Sequence, residues 1–305
     1  MVLTGLAQVT RAAVERTVEK SFVVSAETTF KIDTCQGAIR IEPSVDNQLH
    51  LLVRQTMAVE TEPEADQRLQ DLDLQIEQDG AQIAVKARYR RVVRWAWENW
   101  PPVALAYVIK VPRACNLDLV TVEGDITVCA VDGTVLARTG SGAIFTGEIN
   151  GVVRATSTRG DVSVTSCTGE LTLTAKAGNV LVGRAGGQTK IEASGGQIEI
   201  QNSRGNLQVD ADGSDIKVGF VHPLTESADL RAAGGDIEAV FDPRNTCTLL
   251  ARASTFGEVK VKDLPLTIES GKIGSSRVIA TLNGGGPKIT INASGGNVRL
   301  TGREP

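Results

Sequence analysis

Five glycines stand at an unvarying interval of 18 residues: Gly124, Gly142, Gly160, Gly178 and Gly196. Each opens the same short phrase: Gly124-Asp-Ile-Thr-Val128, Gly142-Ala-Ile-Phe-Thr146, Gly160-Asp-Val-Ser-Val164, Gly178-Asn-Val-Leu-Val182 and Gly196-Gln-Ile-Glu-Ile200. The step continues in Ser214-Asp-Ile-Lys-Val218, with serine in the glycine place, and in looser copies from Gly235, Gly257 and Gly296. A second column, Gly133, Gly151, Gly169, Gly187 and Gly205, runs nine residues out of phase, so each repeat is two half-units of nine. A fixed internal period constrains a fold more than any composition does.

Each half-unit carries strand chemistry. Apolar residues fall two and four places after the glycine, as in Ile126 and Val128 or Ile198 and Ile200, with polar residues between them. That alternation makes one face dry and one face wet. Glycine before each strand admits positive φ at a corner. Helical periodicity is absent over 116–262. A strand–turn–strand unit with no helix buries its apolar face only by stacking on copies of itself, which predicts an all-β, right-handed parallel β-solenoid with about 18 residues per coil. At about 4.8 Å per coil, six to nine coils make a rod on the order of 40 Å. The half-period of nine favours two sheets per coil, and a three-sided coil also fits.

The rhythm loosens toward both ends. The step grows to 21 and 22 residues after Ser214 and Gly235, and the extra length lies around Phe220–Pro223 and Phe241–Arg244, which are predicted to be loops. Residues 262–290 read as a long excursion, and a last strand, Asn297 to Leu300, closes the chain. Residues 1–20 read as a leader or flexible segment, 21–115 as a small α+β N-terminal cap, and 116–302 as the solenoid. Within the cap, Thr61 to Leu72 predicts a short helix with Thr61 as N-cap and Leu69 and Leu72 facing inward. Leu74–Gln78 and Gln82–Arg90 predict a hairpin about an Asp79-Gly80 turn. A solenoid needs such a cap, because its first coil otherwise exposes an apolar section and an open strand edge.

Composition narrows the functional classes. Glycine supplies 31 of 305 positions, against 6 Phe, 3 Trp and 2 Tyr, which suits thin aliphatic layers. The net charge of -4 offers phosphate no general attraction, so no nucleic-acid partner is expected. Five cysteines at wide spacing, with no CxxC pair, support neither a zinc ribbon nor a redox motif and read mainly as small buried hydrophobes, with one disulfide open in an oxidising compartment. Two histidines, His50 and His222, supply a metal site or a Ser-His-Asp triad poorly. No apolar run is long enough for a transmembrane helix, and Met1–Val9 lacks the basic start of an export signal. No cofactor and no metal are expected.

The order of motifs resembles the bacterial putative-adhesin domains of unknown function, relatives of the head-domain auto-transporter adhesins. The resemblance spans roughly 18–302. It rests on Phe22-Val-Val, Phe30-Lys-Ile and Gly37-Ala-Ile-Arg-Ile, then on Tyr107-Val-Ile-Lys-Val-Pro112 leading into Asn116-Leu-Asp-Leu, on the Gly-Asp-Ile-x-Val units, and on Gly284-Gly-Gly followed by Ser294-Gly-Gly-Asn-Val-Arg-Leu. It implies a β-helical protein, usually of the cell envelope, and assigns no catalytic residue. The missing export signal keeps a cytoplasmic location open.

Three constellations are candidate sites. The outward column after the glycines holds Asp125, Asp161, Asn179, Gln197, Asp215, Asp236 and Asn297; Asp215 and Asp236, one coil apart, form the pair that acid–base cleavage of a polysaccharide would need. Short polar residues at such corners are also ordinary turn chemistry. Trp95, Trp97 and Trp100 hold all the tryptophan in the chain and form either an end plug or a sugar-stacking surface. Beside them Lys86, Arg88 and Arg90 alternate on one strand face, followed by Arg91 and Arg94: a solvated basic face, or a seat for an acidic glycan. Calcium rolls are excluded because the Gly-Gly phrases lack their aspartate. The sequence therefore favours a non-enzymatic, adhesin-like binding or structural module at the cell envelope, partnered by a surface glycan or another envelope protein. A polysaccharide lyase or hydrolase using Asp215 and Asp236 is the alternative, and a self-assembling cytoplasmic scaffold is a third.

Overall fold

A computed structural model describes residues 13–25, 27–90 and 101–303. The described chain is all-β apart from one helix, and nearly all its strands lie in two long sheets of mainly parallel pairs. The N-terminal part holds β1 (Val14–Val23), β2 (Thr29–Thr34), β3 (Ala38–Pro43), β4 (Gln48–Met57), α1 (Glu62–Leu69), β5 (Leu72–Asp79), β6 (Gln82–Tyr89), β7 (Ala104–Val111), β8 (Asn116–Glu123) and β9 (Ile126–Val128). The repeats give β10 (Val131–Asp132), β11 (Val135–Ser141), β12 (Ile144–Asn150), β13 (Val153–Ser157), β14 (Val162–Cys167), β15 (Leu171–Ala175), β16 (Val180–Ala185), β17 (Thr189–Ser194), β18 (Ile198–Ser203), β19 (Leu207–Asp212), β20 (Ile216–Phe220), β21 (Ala228–Ala232) and β22 (Ile237–Phe241). The C-terminal part adds β23 (Cys247–Arg252), β24 (Val259–Lys262), β25 (Leu266–Gly271), β26 (Arg277–Leu282), β27 (Lys288–Ala293) and β28 (Val298–Gly302).

From β11 to β22 successive strands alternate between the sheets: even numbers form the first sheet, odd numbers the second. In the first sheet Ile126, Ile144, Val162, Val180, Ile198 and Ile216 pair in register, each 18 residues after the last. These side chains are buried, as are their second-sheet counterparts Leu117, Val135, Val153, Leu171 and Leu207. The core is thus a stack of aliphatic layers between two sheets, and the period-two pattern places its residues directly. The loops expected around Phe220–Pro223 and Phe241–Arg244 run over 221–227 and 242–246, because Phe220 and Phe241 end β20 and β22 and stack in the core; Leu224 and Asn245 turn inward and are buried.

The glycine column explains itself by close approach. Gly142 sits at φ +145°, and a Cβ there would run into the carbonyl of Gly124. Gly160 stands in the same relation to Gly142, and Gly178 to Gly160. In the second column Gly169 and Gly187 lie outside the left-handed region, and the nearness of the previous turn's backbone alone demands glycine there.

The ends depart from chain order. The phrase at Gly257 was expected to stack on the one at Gly235, with Gly296 closing the chain. Instead β28 pairs with β22 on one side and β24 on the other, so the last strand is spliced between two earlier ones. In the second sheet β27 likewise lies between β21 and β23. The start of the chain mirrors this: β2 lies between β6 and β8, and β3 between β7 and β9. Antiparallel strands finish both ends, β4 and β1 outside β7, β5 outside β6, and β26 and β25 outside β23. The expected excursion over 262–290 is therefore built of strands β25 and β26 and the start of β27.

Three further expectations are corrected. Residues 14–20, assigned to a leader, belong to β1 and pair with β4 along its length. Val14, Val18 and Phe22 pack on the core, and Arg16 reaches Glu62 at 2.7 Å and Asp66 at 2.6 Å on α1; the charged spacing of an edge strand hid it. The helix ends before Gln70, so Leu72 lies in β5; Thr61 caps it, accepting from the Glu64 N–H, and Ala65 is its buried contact. The hairpin turn is Gly80-Ala81, because Asp79 pairs with Gln82.

Candidate recognition surface

The Asp–Asn column is the most regular polar feature of the solenoid, and its side chains are bonded to the backbone. Asp125 Oδ1 accepts from the Ala143 N–H at 2.8 Å, Asp161 from Asn179 at 2.7 Å, and Asn179 from Gln197 at 2.9 Å. The same bond joins Asp215 to the N–H of Asp236 at 2.8 Å and Asp236 to the N–H of Asn297 at 2.7 Å. Each side chain thus satisfies a backbone donor one coil further on, at a corner where the strand ladder is interrupted. The splice keeps this chain, since Asn297 accepts from Glu258 at 3.2 Å. Asp215 and Asp236 are neighbours, as expected, but each has an oxygen engaged in this ladder.

Trp95, Trp97, Trp100, Arg91 and Arg94 lie outside the described residues. The ground beside them is well fixed. The Tyr89 hydroxyl donates to the Val103 carbonyl at 2.6 Å, and Gln36 Nε2 donates to the same carbonyl at 2.5 Å. Thr34 and Tyr107 share a buried hydrogen bond at 2.8 Å. Burial pushes the Tyr89 phenol up to about 12 and Tyr107 further in the same direction, so both stay neutral hydrogen-bonding groups. The basic stripe of β6 is partly neutralised: Arg88 contacts Asp33 at 2.5 Å and Arg90 lies 3.6 Å from Asp73. The middle of the second sheet's outer face follows this pattern, with Arg138–Asp118 at 2.8 Å, Arg154–Glu170 at 3.0 Å, Lys190–Glu192 at 2.7 Å and Arg231–Asp229 at 2.6 Å.

The outer face of the first sheet is different. At its N-terminal end Ser21, His50 and Asp46 form a line. Ser21 Oγ and His50 Nδ1 share a hydrogen bond at 2.8 Å, and His50 Nε2 lies 3.0 Å from Asp46 Oδ1. The Ser44 hydroxyl, then His50, hold the Asp46 carboxyl below its ordinary range. Ser21 faces His50 across the antiparallel β1–β4 register, which no spacing in the sequence reveals. The His50 and Asp46 side chains are 36% and 45% exposed, so water screens any charge developing there, a poor setting for nucleophilic catalysis. The line ties the β3–β4 turn to edge strand β1.

Further along the same face, two large apolar side chains are set outward: Phe145 at 45% exposure and Leu181 at 39%. Ser163 stands between them in register. A shallow recess of about 380 Å³ lies beside this row.

All five cysteines are free; Cys115, Cys167 and Cys247 are buried, and burial pushes Cys115 up to about 11 and Cys247 to about 12, which leaves these thiols unreactive. Among the described residues no group of three or more His, Cys, Asp or Glu side chains is placed to hold a metal ion. Among them, too, no helix is long and apolar enough to cross a membrane.

The profile of one family, Toastrack DUF4097, matches residues 28–301. No curated protein matches the chain. Among solved structures, the chain is similar to a putative adhesin from Bacteroides fragilis at 14% identity and a TM-score of 0.43, over 94% of this chain and 97% of that one. It is similar to a putative lipid binding protein from Parabacteroides distasonis at 10% identity and a TM-score of 0.39, over 92% and 96% of the two chains. A putative adhesin from the same organism matches at 11% identity and a TM-score of 0.33, over 94% and 97%.

Proposed function

The chain belongs to the Toastrack DUF4097 family, a bacterial adhesin-like family of unknown function, and from that premise we propose that it is a non-enzymatic binding or structural module of the cell envelope. The observation that carries this reading is the polar ladder. Asp215 and Asp236 each hold the backbone N–H of the next coil through Oδ1, at 2.8 and 2.7 Å. The same bond recurs at Asp125, Asp161 and Asn179, so the pair repeats a structural corner motif instead of standing apart as a catalytic dyad.

The coil is right-handed and holds about 18 residues, the unit 116–302 is the solenoid, and the strands before it, from β1 onward, are its cap. Support comes from the 18-residue register between β9 and β20 and from the antiparallel strands that finish the N-terminal end. The partner is a surface glycan or another envelope protein, met either at Trp95–Trp100 with Arg90 and Arg94 or on an outer sheet face. Envelope placement is tested by fractionating cells that express the intact gene. Recovery with the membrane and periplasmic fractions is expected, and recovery in the cytosol alone would overturn it.

A further inference from the structure

Three parallel columns make a grid on the outer face of the first sheet. In the first column Phe145, Ser163 and Leu181 are aligned in register, and the following strands continue it with Glu199, Lys217 and Glu238. The two apolar side chains lie two strands apart, roughly 9.6 Å, with a small residue between them. The next column is Gly147, Thr165, Gly183 and Gln201, where a Cβ on Gly183 would run into the Thr165 carbonyl; the close approach that excludes a side chain also leaves a low floor. The third column, Glu148, Ser166, Arg184 and Asn202, forms a polar rim. The recess of about 380 Å³ is lined from all three.

We infer that this recess binds an acidic saccharide, with a sugar ring against Phe145 and Leu181 and a carboxylate on Arg184. The inference rests on the reading of the chain as a glycan-binding module and gives it a location and a ligand charge. Two contrasts argue for it. The outward first-sheet positions in line with Phe145 are otherwise mostly polar or charged, so the Phe145–Ser163–Leu181 row is a local apolar platform, of the sort on which a ring can stack. Arg184 makes no ion pair among the described residues, and Glu148, the carboxylate of its own column, stands two strands away; on the second sheet Arg138, Arg154 and Arg231 each meet a carboxylate, at 2.8, 3.0 and 2.6 Å, while Arg252 and Arg277 do not. An unmatched guanidinium at the rim of an apolar platform is a ready donor to a planar carboxylate. Ser166, Gln201 and Asn202 supply the neutral donors and acceptors that hydroxyl groups need, with the Asn202 amide oriented by its 3.1 Å bond to the Gly183 carbonyl.

The test is calorimetric titration of the full chain with oligomers of polygalacturonate, alginate and hyaluronan, and with their carboxyl-reduced neutral counterparts. At least one acidic oligomer is expected to bind, with its neutral counterpart about tenfold weaker, the size of one lost charge-assisted hydrogen bond. Phe145→Ala and Arg184→Gln should each weaken binding about tenfold, while Arg154→Gln on the second sheet leaves it unchanged. Both side chains point outward, so a thermal melt matching the parent is the check on folding. If the parent binds and both first-sheet variants bind equally well, the recess is overturned and the module reading stands; Trp97→Ala then tests the other surface. If no acidic or neutral oligomer binds, the glycan reading and this inference fall together.

Discussion

At the scale of the residue, glycine and aspartate do different work at the same corner. Gly160, at φ +136°, is held twice: by a backbone angle that L side chains rarely adopt and by the Gly142 carbonyl beneath it. Gly80, at φ +55°, is held only by the angle, since a Cβ there would have nothing within 4 Å. Gly160→Ala should therefore cost about 3 kcal/mol and Gly80→Ala about 1 kcal/mol, read from the shift of the denaturant midpoint. Equal costs would mean that the close approach is not what selects glycine. Asp242 gives a pH signature. Arg244 bonds its carboxyl at 2.7 Å and 3.0 Å, holding it well below the usual carboxylate range. A depressed acid stabilises the fold fully above its unfolded value near 3.9 and loses that contribution as pH falls toward the folded value. The parent should thus exceed Asp242→Asn in stability at pH 6, with the gap narrowing steadily as pH falls below about 4. A gap that stays constant through that fall would show that the pair contributes nothing specific to the ionised form.

At the scale of the element, the coil was legible and its ends were not. The inward Ile and Val positions were readable because layers between two sheets about 10 Å apart favour an aliphatic side chain every second residue, with Thr146, Thr189 and Phe220 among the exceptions. The order of coils at the ends was hidden for a related reason. Parallel pairing is made by backbone, and the phrases at Gly235, Gly257 and Gly296 present the same glycine–polar–apolar pattern, so any of them can stack on any other. The splice of β27 and β28 is visible only in three dimensions. The edge strands were hidden too: β1 alternates half-buried and exposed positions and has charges on both faces, so its pattern does not separate it from a loop. The candidate surface went unread in the sequence, although Phe145 and Leu181 break the polar alternation two repeats apart, and the meeting of Ser21 with His50 depends on an antiparallel register. The splice has a direct consequence. Deleting residues 295–303 removes a strand that pairs with both β22 and β24, so amide exchange in those two strands should rise by orders of magnitude while β11 to β16 keep their protection. Unchanged exchange in β22 would contradict the splice.

At the scale of the whole molecule, the second sheet runs through 14 strands, which at about 4.8 Å per step gives a long axis of roughly 60 Å, more than the repeats alone required. The two outer faces of the molecule are chemically unlike: one matches arginine to carboxylate through its middle, and the other carries the apolar row with Arg184 beside it. The open edges are guarded by charge, with Lys260 and Lys262 on β24 and six charged or polar side chains along β1, which opposes end-to-end stacking into a filament. The shape suits display of a long face to a long polymer, and the corner ladder suits rigidity. The central claim, that the chain binds without cutting, is tested most directly by the length of an acidic polysaccharide after prolonged incubation with the purified protein. The length is predicted to stay unchanged while the protein is retained on the polymer. A polymer that shortens with time, and stops shortening in Asp215→Asn or Ser21→Ala, would contradict it.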